Sequence, residues 1–360
     1  MSRQITEDEV GQRIEKMRRR RPRFVDDRVT MSHGAGGKAS RALVEGLILP
    51  LLDNETLDQL GDAAVLQLGG VRMAFTTDAF VVRPVTFPGG CIGELAVNGT
   101  VNDLAVSGAR PAAISAALIL EEGLAAEELR GQVSAMADAA ERAGVAVTAG
   151  DTKVVERGRC DSMYIVTTGI GLIEHDLVLT PSQVRPGDKV LVSGTIGDHG
   201  VAILLARGEL DIDADVRSDT QPLWLLVEAM INACGPALRC MRDATRGGVA
   251  TVLNEIALAA DVGVIISEDQ VPMLPEVIGA GEILGIDPLF VANEGKLVAF
   301  VAPDAADAAL AAMRSHPAGA RASIIGEVRE EPPGRVLSKT TFGGHRMIDM
   351  LVGDPLPRIC

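Results

Sequence analysis

Aromatic residues are scarce: one Trp, one Tyr and seven Phe make up 2% of the 360-residue chain. That leaves little with which to stack nucleobases, and a formal net charge of −15 denies the chain the basic face that a phosphate backbone selects. Long hydrophobic runs are missing too. Although 47% of residues are hydrophobic, Gly, Asp or Glu interrupts every apolar run well short of the ~18 residues that suggest a membrane span. The arginine-rich start is followed by no apolar core, so no secretory signal is expected. No C-x-x-C pair occurs among Cys91, Cys160, Cys234, Cys240 and Cys360, which suits a reduced, cytoplasmic protein better than a disulfide scaffold. Cys234 and Cys240 lack the histidines or second pair that would complete a zinc set, and read as small buried hydrophobes. Neither nucleic acid nor membrane is therefore an expected partner.

What is present suggests an α/β (α+β) chain of two domains with a C-terminal tail. Residues 1–27 read as an extension, its run Arg18 to Arg21 with Arg23 bracketed by Glu7, Asp8, Glu9, Asp26 and Asp27. Short apolar runs then alternate with helical periodicity. In an N-terminal domain, 28–174, strands are expected at 64–68, 71–77, 113–120, 145–149 and 163–173, and helices at 92–106 and 125–142. A polar stretch with Pro181 and Pro186 marks a linker, 175–188. The C-terminal domain, 189–352, is expected to carry strands at 189–193, 262–267, 297–302, 322–328 and 335–338, a further segment at 346–352, and helices near 199–206, 221–233, 247–260, 275–284 and 304–315. The last eight residues, 353–360, contain Pro355 and Pro357 and end on Cys360. Two prolines keep such a segment out of helix and central sheet, so it should be an extended, mobile arm with a thiol at its tip.

The aspartates sit in particular places. Asp62 follows a glycine ahead of a strand, Asp78 ends a Thr-Thr-Asp strand, Asp103 lies in a helical stretch, Asp151 follows the run 145–150, and Asp243 opens Asp-Ala-Thr-Arg-Gly-Gly. Each alone serves as a turn former or helix cap; five in such settings favour a hard-cation site of the kind that bridges nucleotide phosphates. Ser32-His33-Gly34-Ala35-Gly36-Gly37-Lys38 fails the Walker A pattern, with serine and alanine where glycine and a hydroxyl residue are needed, yet its backbone can wrap a phosphate. Asn98 and Asn102 share one helix face opposite Ile92, Leu95, Val101 and Leu104, a polar stripe expected to face solvent. Lys153, two residues past Asp151, suits stabilisation of a phosphate or oxyanion, and Glu294 suits a general base or a loop acid.

Taken together these segments resemble the HypE family of hydrogenase maturation factors, carbamoyl dehydratases related to aminoimidazole ribonucleotide synthetase and selenophosphate synthetase. The carriers are SHGAGGK (32–38), GDAAV (61–65), TTDAF (76–80), VNGTVNDLAVSGA (97–109), AGDTKVV (149–155), RDATRGG (242–248), NEG (293–295) and PRIC (357–360). The resemblance covers about residues 28–360, and PRIC selects this member of the superfamily. It implies a two-domain protomer, a homodimer through the N-terminal domains, and Mg-ATP. Asp62, Asp78, Asp103, Asp151 and Asp243 become metal and phosphate ligands, Gly34, Gly36, Gly37 and Asn98 nucleotide contacts, and Lys153 and Glu294 catalytic residues beside Cys360. The implied reaction converts a thiocarboxamide on Cys360 to a thiocyanate at the expense of ATP, with HypF as carbamoyl donor and HypC–HypD as the iron scaffold that accepts cyanide. Two other classes share parts of the pattern. A sibling phosphotransferase would use the same aspartates; a thiol carrier would need only the tail. The extension 1–27 and Cys91 at a helix start depart from the family pattern.

Overall fold

The computed structural model describes residues 22–208, 214–351, 353, 356 and 358–360. Most of the arginine run, and residues 354, 355 and 357 of the tail, lie outside them.

Alternating residues over 64–80 form two antiparallel strands, β1 (Ala64–Leu68) and β2 (Val71–Phe80). Two short strands, β3 (Thr86–Phe87) and β4 (Gly90–Cys91), lead into α2 (Ile92–Val106); α1 (Lys38–Leu43) precedes the sheet. β5 (Arg110–Glu121) then crosses over through α3 (Ala126–Ala143) to a parallel neighbour, β6 (Val147–Val155), before β7 (Met163–Leu172) closes the sheet in the order β1-β2-β7-β5-β6. A parallel pair needs such a crossover, whereas the antiparallel pairs do not.

The second sheet combines β8 (Lys189–Val192), β9 (Leu238–Asp243), β10 (Gly263–Ser267), β11 (Leu297–Val301), β12 (Ser323–Arg329), β13 (Arg335–Lys339) and β14 (His345–Ile348), in the order β14-β13-β10-β12-β8-β11-β9. Its helices are α4 (Asp198–Ala206), α5 (Trp224–Cys234), α6 (Gly248–Ala260), α7 (Pro275–Leu284) and α8 (Ala306–Arg314). β11 is buried at every position, as a central strand should be. β9 was not expected from the sequence, because Arg239 and Arg242 interrupt its apolar pattern.

Helix α2 holds the two domains together. It is buried nearly all round, with β2 and β7 on one side and α5 and β9 of the second domain on the other. The polar face expected to meet solvent is instead inside the junction, where Asn98 is 0% and Asn102 1% exposed. Asn102 accepts from Leu223 N at 2.8 Å and donates to the carbonyls of Gln221 and Glu294; Asn98 donates to Thr220 Oγ1 at 3.0 Å. A buried amide pays its desolvation only if partners await it, and here the second domain supplies them. The linker is also stitched down: Arg72 donates to the carbonyls of His175 and Leu177, and Gly187 N to Val328 O.

Residues 22–27 are not a detached appendage. The Phe24 ring meets His33 edge-on at 5.3 Å, Asp26 lies 3.1 Å from His33 Nε2, and a side chain at Gly46 would strike Phe24 N at 2.5 Å. These contacts fix His33, one residue before Gly34. Deleting residues 1–27 should therefore weaken nucleotide binding several-fold, whereas deleting only 1–21 should leave it unchanged; calorimetric titration of both truncations checks this, and equal affinities would detach Phe24 and Asp26 from the site.

Candidate active site

Four of the five aspartates converge between the domains. Asp62 precedes β1, Asp78 lies on β2, Asp103 on α2 and Asp243 at the end of β9. β2 continues to Phe80, so Asp78 is within the strand and not at its end. Thr76, on the same face of β2, donates toward both Asp103 Oδ2 at 2.7 Å and the carbonyl of Asp62 at 2.9 Å. Burial raises the carboxyl pKa of all four, and repulsion adds to it: Asp78, Asp243 and Asp62 push Asp103 well above the ordinary value, and Asp62 and Asp78 do the same to Asp243. Arg242 answers only part of this charge, donating to Asp62 Oδ1 at 3.0 Å. A set of carboxylates that raise one another's pKa is a set short of positive charge, which suits a divalent cation. Among the described residues no three acidic, His or Cys side chains are drawn close enough to grip one ion as they stand.

Glu294 borders the cluster. It is 3% exposed, its Oε1 has no hydrogen-bond partner, and burial followed by Asp219, Asp243 and Asp78 raises its pKa well above the usual glutamate value. Its amide is held by Asp219 Oδ1 at 3.0 Å, and Asp219 is in turn paired with Lys296 at 2.9 Å. A carboxyl raised in this way is a stronger base than an ordinary glutamate once ionised.

The glycine loop sits against the second domain. Gly36 adopts φ +76°, and a Cβ there would meet Arg246 O at 2.7 Å; one at Gly37 would meet Leu351 O at 2.3 Å. Arg246 donates to Gly34 O at 3.1 Å, and its positive charge is favoured first by Cys360 and then by Asp78, Glu294 and Asp103. Sequence reasoning quoted this arginine but gave it no role; the signal available was its place between Asp243 and a Gly-Gly pair. A cavity of about 130 Å³ lies here, lined by Gly34, Arg246, Gly247, Leu356, Ile359 and Cys360. A larger one, about 460 Å³, opens at Gly36, Gly37, Ser40 and Arg242.

The described part of the tail is docked at this cleft. Leu356 and Ile359 are buried in one apolar cluster with Phe80, Val82, Val201 and Val291. Arg358 pairs with Asp161 and lies 5.9 Å from the Tyr164 ring centre. An arm that must also travel outward has to release these contacts.

Two expected site residues are elsewhere within the protomer. Asp151 and Lys153 lie in the middle of β6, the exposed edge strand, because that strand runs to Val155 and does not stop before Gly150. They bond to each other at 2.6 Å, and that contact lowers the Asp151 pKa. Asn98 is inside the domain junction, where its Oδ1 has no hydrogen-bond partner.

The model of the AIR synthase related protein N-terminal domain matches residues 60–173, and that of the AIR synthase related protein C-terminal domain matches 185–339. A carbamoyl dehydratase HypE of Rhodobacter capsulatus is 51% identical across 93% of this chain and 99% of its own length. The chain belongs to the HypE family. Among solved structures of that family, one in a HypE–HypF complex superposes with a TM-score of 0.82 at 46% identity, over 86% of this chain and 100% of the other. A hydrogenase maturation protein HypE in complex with ATP gives a TM-score of 0.78 at 45% identity, over 92% of this chain and 100% of the other. The two-domain fold expected from the sequence is thus that of the HypE family.

Proposed function

We propose that the chain is an ATP-dependent carbamoyl dehydratase that converts a thiocarboxamide on Cys360 to a thiocyanate, supplying cyanide for the iron centre of NiFe hydrogenase. The observation that carries this reading is that Arg246 and Cys360 line one cleft, where the charges of Cys360, Asp78, Glu294 and Asp103 favour the guanidinium. A phosphoryl donor held at the aspartates and a carbamoyl group on the thiol are thereby brought to one guanidinium. Residues Asp62, Asp78, Asp103 and Asp243 would hold Mg²⁺, which supplies screening of phosphate charge and polarisation of the phosphoryl group. Gly34, Gly36 and Gly37 offer backbone groups to the nucleotide. Arg246 offsets the negative charge of the phosphoryl oxygens as the group passes to the carbamoyl oxygen and ADP leaves, and Glu294 takes the N–H proton as phosphate departs. The buried apolar walls formed by Leu356 and Ile359 keep water from the activated intermediate. In a mass measurement, the peptide carrying Cys360 should gain a carbamoyl group from a donor system and lose one water on addition of ATP. An adduct unaffected by ATP would overturn the reading.

A homodimer completes this picture. Phe75 and Ile170, paired across β2 and β7, are exposed on one face of the first sheet, an apolar area that a second copy would cover. Asp151 and Lys153 lie on that same face, opposite Ala117 and Ile119, so a second copy would offer its pair to this protomer. Ile170→Asp should convert a dimer to monomers by sedimentation and remove ATP-dependent turnover; a parent protein that sediments as a monomer would dismiss the dimer. The donor HypF is supported by the HypE–HypF complex among the similar structures, and HypC–HypD is the acceptor that the family resemblance implies. Among the described residues no helix is long and apolar enough to cross a membrane.

A further inference from the structure

We propose that His199 is a positioning residue that seats Cys360 in the cleft, by donating a hydrogen bond from Nε2 to the carbonyl of Ile359, the residue before the thiol. The two atoms are 2.5 Å apart, and His199, in the first turn of α4, is 0% exposed. A carbonyl oxygen only accepts, so Nε2 carries the proton. Burial lowers the imidazole pKa and keeps the ring neutral, which makes Nδ1 the acceptor. Its partner, Ser218 Oγ at 2.8 Å, must then be the donor.

The chain of donors continues in one direction. Thr220 N donates to Ser218 Oγ at 3.2 Å, and Thr220 Oγ1 accepts from Asn98 on α2 at 3.0 Å. Phe87 meets the imidazole edge-on at 5.5 Å and fixes the plane of the ring. The orientation of a buried histidine is thus set from both domains and spent on one tail carbonyl.

Directional contacts are needed here because the apolar ones cannot set a register. Leu356 and Ile359 give the tail its attraction to the cleft, but burial of apolar area is non-directional. The position of the thiol has to come from hydrogen bonds to the last carbonyls. Arg358 O receives Arg83 N at 3.2 Å and the Arg207 guanidinium, and Cys360 O receives Val81 N at 3.0 Å. Ile359 O receives His199, a side chain with no place among the aspartates, the glycine loop or Glu294.

The effect on turnover rests on the dehydratase reading, whereas the seat itself does not. The test compares the full chain with His199→Ala, His199→Gln and Ser218→Ala, without nucleotide, and follows alkylation of Cys360 by iodoacetamide through the mass of its peptide. Losing one such bond should speed alkylation by about three- to tenfold in His199→Ala. His199→Gln, whose amide can still donate, should stay near the parent rate, and Ser218→Ala should fall between. With ATP and a carbamoylated tail, His199→Ala should lower kcat and leave the KM for ATP in place. Parent-like alkylation in His199→Ala overturns the proposal, and so does a His199→Gln variant as fast as the alanine one, which would reduce His199 to a space-filler. If His199→Ala does not fold, a parent-like rate in Ser218→Ala is the overturning result. The alkylation pattern without dehydration in the parent would leave the seat standing and remove the functional reading instead.

Discussion

Replacing Cys360 with alanine should abolish acceptance of the carbamoyl group and leave ATP affinity within about twofold of the parent, since the side chain lies outside the proposed aspartate and glycine set. The argument rests on what the other thiols cannot do. Cys91, Cys160, Cys234 and Cys240 are all buried, and burial raises the pKa of each, that of Cys240 to about 12. A thiol attacks as thiolate, so none is a surrogate at neutral pH. Cys360 alone lines the cleft beside Arg246. The proposed nucleotide set of aspartates and glycines is positioned by β2, α2, β9 and the glycine loop. Mass measurement of the tail peptide and calorimetric titration of ATP separate the two halves of this expectation. An alanine variant that still supports cyanide-ligand formation would make the thiol incidental.

Much of the site was legible because the residues that carry it are exceptions to their surroundings. An aspartate within a β-strand pattern, or within a helix as apolar as α2, has no structural reason to be there. Asp103 was visible for that reason, and Asp78 for its place at an expected strand end; both lie in the cluster. Glu294 was ambiguous as a loop acid; its burial and its bond to Asp219 through the backbone depend on a contact 75 residues away in sequence, which no local pattern contains. His199 was passed over for the same cause, whereas Arg246 was overlooked although its place between Asp243 and a Gly-Gly pair was visible. The setting of Asp151 was misread because the strand was ended too early: a β-run of small and polar residues at an exposed edge, Thr-Ala-Gly-Asp-Thr-Lys, has little hydrophobic periodicity to extend it. The solvent-facing reading of Asn98 and Asn102 failed because a polar helix face is outward only when nothing polar is packed on it, and the second domain brings Gln221, Leu223 and Thr220 there. Element types within each domain came from local periodicity, whereas the junction between domains is written in pairings that sequence spacing does not show.

Asp243→Asn should weaken Mg-ATP binding and at the same time raise the melting temperature of the nucleotide-free protein at neutral pH. The two effects have one origin. Asp243 and Asp103 have folded-state pKa values well above the ordinary carboxylate range, through burial first and then through Asp62 and Asp78 for Asp243, and Asp78, Asp243 and Asp62 for Asp103. A carboxyl raised on folding opposes the fold once it is ionised. Its penalty is absent below the unfolded pKa, about 4, and grows as pH rises toward the folded value. Asparagine removes one of the repelling charges, so the variant should gain stability over the parent near pH 7, and the gain should fade toward pH 4. The same substitution takes away a carboxylate that the cation needs, and affinity should fall at least about tenfold, the lower end of what losing a supporting group at a metal site costs. Thermal melts at several pH values, with calorimetric titration of Mg-ATP beside them, test both halves on one protein. A variant that melts lower than the parent and binds nucleotide equally well would show Asp243 to be a structural cap at the end of β9, and would leave the remaining three carboxylates without the electrostatic frustration that the cation is there to relieve.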